Sequence, residues 1–238
     1  MTETMTMAPA TSAVRRPASD ATKRAVTLSE HIVEVISDSG EGAQRCGQSL
    51  GAIAAKMGNG IWTTEIIPAE IQPPARSVAG ASGIRIRMGS GKVTNGGDET
   101  DLVVAFNEQV LLGRVRAGEL KSGCTILLEN MWRGHRDPKV VASYVETIEL
   151  LHKGGFRVYE IPLEEACSKL VADSRRGKNM FVLGMLCSIY SLDLDVARDQ
   201  IAITFGKKDA KVIKVSQGLL DAGHAWAEVN LDLSLIHI

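Results

Sequence analysis

Ile32-Val33-Glu34-Val35-Ile36-Ser37-Asp38-Ser39-Gly40-Glu41-Gly42-Ala43-Gln44-Arg45-Cys46-Gly47-Gln48-Ser49-Leu50-Gly51 is the stretch that decides the fold. A short apolar strand, Ile32 to Ile36, runs into a glycine turn, and a helix starts directly after it. The helix shows in its stripe: Cys46, Leu50, Ile53 and Met57 recur at helical spacing, with Gln44, Arg45, Gln48 and Lys56 turned elsewhere. Gly40 and Gly42 let the backbone approach a ligand closely, and the helix's free N–H groups then point at it. That is anion chemistry, most often phosphate. A corner needed only for packing has the same residues, so both readings stand at this point.

Two commoner phosphate motifs are excluded. The dinucleotide fingerprint Gly-x-Gly-x-x-Gly needs glycine where this chain has Arg45. Gly89-Ser90-Gly91-Lys92 lacks the first P-loop glycine (Ile86 stands there) and has Val93 for Ser/Thr. It also runs into the turn Asn95-Gly96-Gly97-Asp98 rather than a helix.

Downstream, strands and helices alternate. Asn59-Gly60 turns into a strand, Ile61 to Ile67, ended by Pro68, and Pro73-Pro74 forces an extended loop that delivers Arg76 to Ser82. Ile84 to Met88 alternates apolar residues with arginine, a strand with one polar face. Asp101 to Asn107 and Thr125 to Leu128 read as buried strands. Asp137-Pro138 starts a helix with Val141, Val145, Ile148 and His152 on its stripe, closed by Gly154-Gly155. Phe156 to Ile161 is a strand, and Pro162 leads a helix carrying Leu163, Ala166 and Leu170. Ser174-Arg175-Arg176-Gly177-Lys178 is a basic connector, read as a solvated loop ahead of an electrostatic docking site. Helices over Asn179–Tyr190, Val196–Phe205 and Lys211–Leu220 complete the chain. The pattern predicts an α/β, three-layer αβα fold, Rossmann-like, with a largely parallel sheet and a helical C-terminal part. Such sheets bind ligands beyond the strands' carboxyl ends, where Gly40 to Gln44 falls.

Composition sets bounds on function. The 238 residues are 45% hydrophobic, ample for a core, and the formal net charge of −1 draws the domain to neither nucleic acid nor an acidic membrane. Cys46, Cys124, Cys167 and Cys187 stand far apart without a Cys-x-x-Cys, which argues against an iron–sulfur or zinc site in this chain. They read as core residues of a protein from a reducing, cytoplasmic compartment. Residues 1–29 read as a disordered tail, without the apolar run of a secretory signal, and residues 30–228 as the domain. The end, 229–238, reads as truncated near Asp232, because Leu233-Ser234-Leu235-Ile236-His237-Ile238 is what a transposase sequencing adapter encodes. A genuine apolar terminus is the alternative.

Gly40-Glu41-Gly42-Ala43-Gln44, then Arg76-Ser77-x-x-Gly80-Ala81-Ser82, then the strands at Ile84–Arg87 and Asp101–Asn107 come in one order. Together they resemble the gamma domain of the 2-oxoacid:ferredoxin oxidoreductases. That family's turn is Gly-x-Gly-Gly-Gln-Gly; this chain keeps two glycines and Gln44 but has Ala43 and Arg45. The usual Arg-Gly-Gly appears as Arg76-Ser77, followed by Gly80 and Ser82. Asn179 opening an apolar helix with Gly184, and Leu219-x-x-x-Gly223-x-Ala225, fit too. The run from Trp62 to Glu70 is most similar to the alpha subunit of 2-oxoglutarate-type enzymes, where a gamma domain precedes a thiamine-binding domain.

The resemblance implies oxidative decarboxylation of a 2-oxoacid to acyl-coenzyme A, with electrons passed to ferredoxin. It implies that thiamine diphosphate, Mg and the iron–sulfur cluster lie on other domains or subunits, since no Gly-Asp-Gly magnesium motif is present. The expected partners are those thiamine-binding domains and, through the complex, ferredoxin. This domain is then expected to help receive coenzyme A and close the active site, through Gly40, Gly42, Gln44, Arg76, Gly80 and Ser82. Arg76 has two readings: a contact to the coenzyme A pyrophosphate or a substrate carboxylate, or a structural pair with Glu65 or Glu70. An NAD-binding Rossmann-type dehydrogenase domain and a non-catalytic assembly subunit remain as alternatives.

Overall fold

The computed structural model describes residues 25–206, 208–233 and 235–238. Its centre is a six-stranded sheet of β2 (Glu30–Asp38), β3 (Gly60–Ile66), β4 (Ala81–Gly89), β5 (Thr100–Ala105), β6 (Leu120–Glu129) and β7 (Arg157–Ile161), in the order β3-β4-β2-β5-β6-β7. β2, β5, β6 and β7 pair in parallel, whereas β4 runs antiparallel to both β2 and β3. β4 alone is reversed, so the largely parallel expectation holds.

Helices cover both faces. α1 (Ala43–Lys56), α4 (Leu163–Ser168), α5 (Lys178–Ile189), α6 (Leu194–Phe205) and α7 (Ala210–Asn230) build one layer, and α2 (Glu108–Arg116) with α3 (Pro138–Lys153) the other. The period of two in β2 decides which side chain serves which layer: Val33 and Val35 join the α1 side, and Ile36 the α2 side. α5 is apolar all round and entirely buried, as a helix sandwiched between a sheet and α7 must be. Gly184 and Gly223 permit that contact. A Cβ on Gly184 would stand 1.9 Å from the Leu220 carbonyl oxygen, and one on Gly223 1.9 Å from that of Phe181.

Several expectations need correction. The arginines of β4 do not form a solvated face. Arg85 is buried against its cross-strand neighbour Glu34 at 2.8 Å, and Glu34 also takes Arg114 from α2 at 2.7 Å, so paired charge fills the layer there. α2 went unread. The buried stripe of α3 is Tyr144, Ile148 and Leu151, not Val141, Val145 and His152; the Tyr144 hydroxyl donates to Glu160 at 2.9 Å, which lets a polar tip enter the core. Met57 and Leu170 are exposed. Lys178 is only 1% exposed and belongs to α5, so the basic connector is not wholly a solvated loop. Within 1–29, Ala25–Thr27 form a strand, β1, paired with β8 (Leu235–His237); residues 1–24 lie outside the described residues. α7 continues past residue 228, and Leu231 is buried in the core.

Candidate functional site

β2 ends at Asp38, and the chain then reverses through two left-handed glycines, Gly40 at φ +91 and Gly42 at φ +87. Side chains rarely adopt that conformation, which is why glycine stands at both positions. Gly42 caps α1 without a side-chain hydrogen bond, and the first turn holds no acidic residue. The N–H groups of that turn are left for an external partner. α1 packs on one face of the sheet and α2, which follows β5, on the other, so the turn sits at a switch point of the sheet.

A second helix start comes to the same place. Gly177 caps α5, again without a side-chain bond, and Asn179 in its first turn lies over Gly42. A Cβ on Gly42 would fall 2.5 Å from Asn179 Nδ2. Asn179 is 8% exposed; its Oδ1 accepts from the Met180 N–H at 2.9 Å, while Nδ2 makes no hydrogen bond among the described residues. Between the two helix starts opens a cavity of about 570 Å³, bordered by Gly40, Gly42, Arg45, Arg176, Asn179 and Phe205. The Arg45 guanidinium rests over the Phe205 ring, 5.4 Å from its centre. Two helix N-termini, two guanidinium groups and a free amide donor suit an anion with more than one oxygen to bind.

Beneath the turn lies a buried charged group. Lys178 Nζ stands 2.9 Å from Glu164 Oε2 and 3.6 Å from Glu129 Oε2 at the end of β6. Burial opposes the ammonium charge, but Glu129 and Glu164 outweigh it and its pKa lies above the ordinary lysine value. Burial also raises the carboxyls of Glu129 and Glu41. The four cysteines are buried free thiols, and burial pushes Cys124, Cys167 and Cys187 up to about 12, far from thiolate chemistry near neutrality.

Of the residues singled out from the sequence, Gly40 and Gly42 border the cavity, whereas Gln44, Arg76, Gly80 and Ser82 do not line it. Gln44 Nε2 donates to the Ile66 carbonyl at 3.3 Å, tying α1 to β3. The Arg76 N–H donates to Asp38 Oδ2 at 2.8 Å, its guanidinium pairs with the buried Glu108, and it lies 4.6 Å over the Trp132 ring. Its carboxylate partner is therefore Glu108, not Glu65 or Glu70, and burial lowers its pKa. Gly80 sits in a 3-10 turn, Val78–Gly80, where Ser77 Oγ accepts its N–H at 3.2 Å; Ser82 is buried on β4 opposite Ser37. Asp38 joins the two regions, since its N–H donates to Glu41 while its carboxylate holds the Arg76 loop. Sequence reasoning missed Arg176 and Asn179 as cavity residues, and took Arg45 only as the loss of a glycine. The legible signal was Gly177-Lys178-Asn179, a helix start without a Ser, Thr or Asp cap.

Known proteins resemble this chain in sequence or in fold. The 2-oxoglutarate oxidoreductase subunit KorA of Mycobacterium tuberculosis is 27% identical over 202 residues, covering 80% of this chain and 31% of its own length. The 2-oxoglutarate:ferredoxin oxidoreductase of Magnetococcus marinus, solved with 2-oxoglutarate, coenzyme A and succinyl-CoA bound, superimposes with a TM-score of 0.69 at 21% identity. That likeness covers 89% of this chain and 33% of the other. The gamma subunit of a keto/oxoacid ferredoxin oxidoreductase from Geobacter sulfurreducens has a TM-score of 0.59 at 13% identity, covering 84% of this chain and 98% of its own. The chain thus spans about a third of the first two proteins and nearly all of the third. Residues 34–226 match the pyruvate ferredoxin/flavodoxin oxidoreductase family model, and the chain belongs to that family.

Proposed function

We propose that this chain is the gamma domain of a 2-oxoacid:ferredoxin oxidoreductase, and that the cavity between the starts of α1 and α5 receives the phosphates of coenzyme A. The observation that carries the reading is the convergence of two uncapped helix N-termini with Arg45 and Arg176 on one cavity. The chain's residues fit a diphosphate. The absent Cβ of Gly42 leaves room for Asn179, whose Nδ2 donates together with the α1 N–H groups, and Arg45 supplies positive charge beside Arg176, which Asp173 already pairs. The Magnetococcus marinus relative, solved with coenzyme A, supports the choice of ligand.

Thiamine diphosphate supplies decarboxylation and an iron–sulfur cluster supplies electron transfer, both from other domains or subunits. This domain's part is to bind and orient the thiol carrier and to cover the site. The complex works in the cytoplasm with ferredoxin as acceptor. No helix among the described residues is long and apolar enough to cross a membrane. Alone, the chain is expected to reduce neither ferredoxin nor viologen with a 2-oxoacid and coenzyme A. Calorimetric titration with coenzyme A and, separately, NAD tests the ligand: heat with coenzyme A and none with NAD is expected. The reverse selects the dehydrogenase reading, and no heat with either selects an assembly subunit.

A further inference from the structure

Between the two left-handed glycines of an anion cradle stands a carboxylate. Glu41 borders the same cavity as Gly40, Gly42, Arg45 and Asn179, and its Oε2 accepts from the Asp38 N–H at 3.2 Å. It is the residue immediately before the α1 cap, so a phosphate seated on that helix start lies beside it.

Lys178 and the Asp38 N–H offset part of the Glu41 charge, but burial is the larger influence. The carboxyl groups of Asp38 at the end of β2 and Glu129 at the end of β6 oppose its ionisation. The Lys178 ammonium on α5 favours the charged form, but Glu129 and Glu164 of α4 hold it. Arg45 of α1 leans on Phe205, and Arg176, ahead of α5, pairs with Asp173 at 3.2 Å. Burial, with Asp38 and Glu129 added, outweighs Lys178, so the Glu41 carboxyl already sits above its ordinary range in the free protein. A bound phosphate adds negative charge a few ångströms away and pushes it in the same direction.

We propose that Glu41 takes up a proton when a phosphate anion seats on the glycine turn, so that ligand binding in this cavity is coupled to pH through this residue. The inference rests on the coenzyme A reading. The proton comes from solvent, no covalent bond changes, and the protonated carboxyl becomes a donor toward the phosphate.

Dephospho-coenzyme A is the probe, because it keeps the diphosphate but lacks the phosphate monoester that itself titrates near about pH 6. The full chain is titrated calorimetrically in buffers of different ionisation enthalpy across mildly acid to neutral pH. Uptake approaching one proton per ligand is expected, with affinity falling by up to about tenfold per pH unit as pH rises. Glu41→Gln, which keeps an acceptor for the Asp38 N–H, is expected to abolish the uptake, flatten the pH dependence and bind more tightly at neutral pH. Glu41→Ser serves the same comparison if the glutamine variant fails to fold by circular dichroism. Binding without uptake, or equal uptake in wild type and variant, overturns the inference and leaves the coenzyme A reading standing. Absence of binding at every pH overturns that reading and the inference with it.

Discussion

Gly40 and Gly42 look alike in sequence and in φ, yet the structure gives them different roles. Among the described residues nothing lies within 4 Å of a Cβ built on Gly40, whereas one on Gly42 meets Asn179 Nδ2 at 2.5 Å. Gly40→Ala is therefore expected to cost only backbone strain, about 1 kcal/mol, and Gly42→Ala about 1–3 kcal/mol with loss of coenzyme A binding as Asn179 is displaced. Urea denaturation and calorimetry on both variants check this; equal effects would assign Gly42 no role beyond its φ. His31 gives a pH test. Its Nδ1 lies 2.6 Å from the Tyr190 hydroxyl, and burial holds the imidazole below its ordinary 6.5 despite Asp101. The unfolded chain then binds the proton more readily, so this stabilisation is complete above about pH 6.5 and is lost as pH falls below it. Glu41 and Glu129, with raised carboxyls, act in the opposite sense, but their effect is common to wild type and a His31→Phe variant. The stability gap between the two is expected to narrow as pH falls from about 7.5 to about 5.5. A constant gap would mean that His31 takes up its proton equally readily in the folded and the unfolded chain.

At the scale of elements, what was legible followed from strong periodicity. β2, α1 and the alternation of strands and helices are written in apolar spacing, and Asp137-Pro138 marks the start of α3 directly. α2 escaped because it is nine residues long, contains Gly113, and buries a charged residue, Glu108, which a hydropathy stripe does not weigh. The α3 stripe was rotated because Tyr144 enters the core with its hydroxyl satisfied by Glu160. β4 was read as half polar because the partners of Arg85 come from β2 and from residues 97–119, which local pattern does not connect to it. Gly184 and Gly223, which belong to the family pattern, have a physical reason in the α5–α7 backbone contact. Gly184→Ala and Gly223→Ala are each expected to destabilise by about 1–3 kcal/mol or more, because the new methyl meets backbone that has no rotamer to yield. Unfolding midpoints within error of wild type would show that the two helices can separate at no cost.

For the whole molecule, the position of the cavity was legible and the set of residues that borders it was not. A glycine turn between a strand and a helix announces the carboxyl edge of a parallel sheet, and Gly40 and Gly42 do border the cavity there. Arg45, Arg176 and Asn179 border it too, but Asn179 follows Gly42 by more than a hundred residues, and only the packing of α5 against α1 brings them together. Arg76 arrives at the neighbouring edge, where Glu108 holds it across the end of β5. These residues form two distinct clusters joined at Asp38, and the central claim is that the first of them is the phosphate site. Diffraction from crystals of the full chain soaked with coenzyme A tests this most directly. The account predicts diphosphate density against the first turn of α1, within hydrogen-bond distance of the Gly42–Ala43 backbone and Asn179 Nδ2. Ordered coenzyme A whose diphosphate lies instead on Arg76 or elsewhere, with the α1 turn left to solvent, would contradict it.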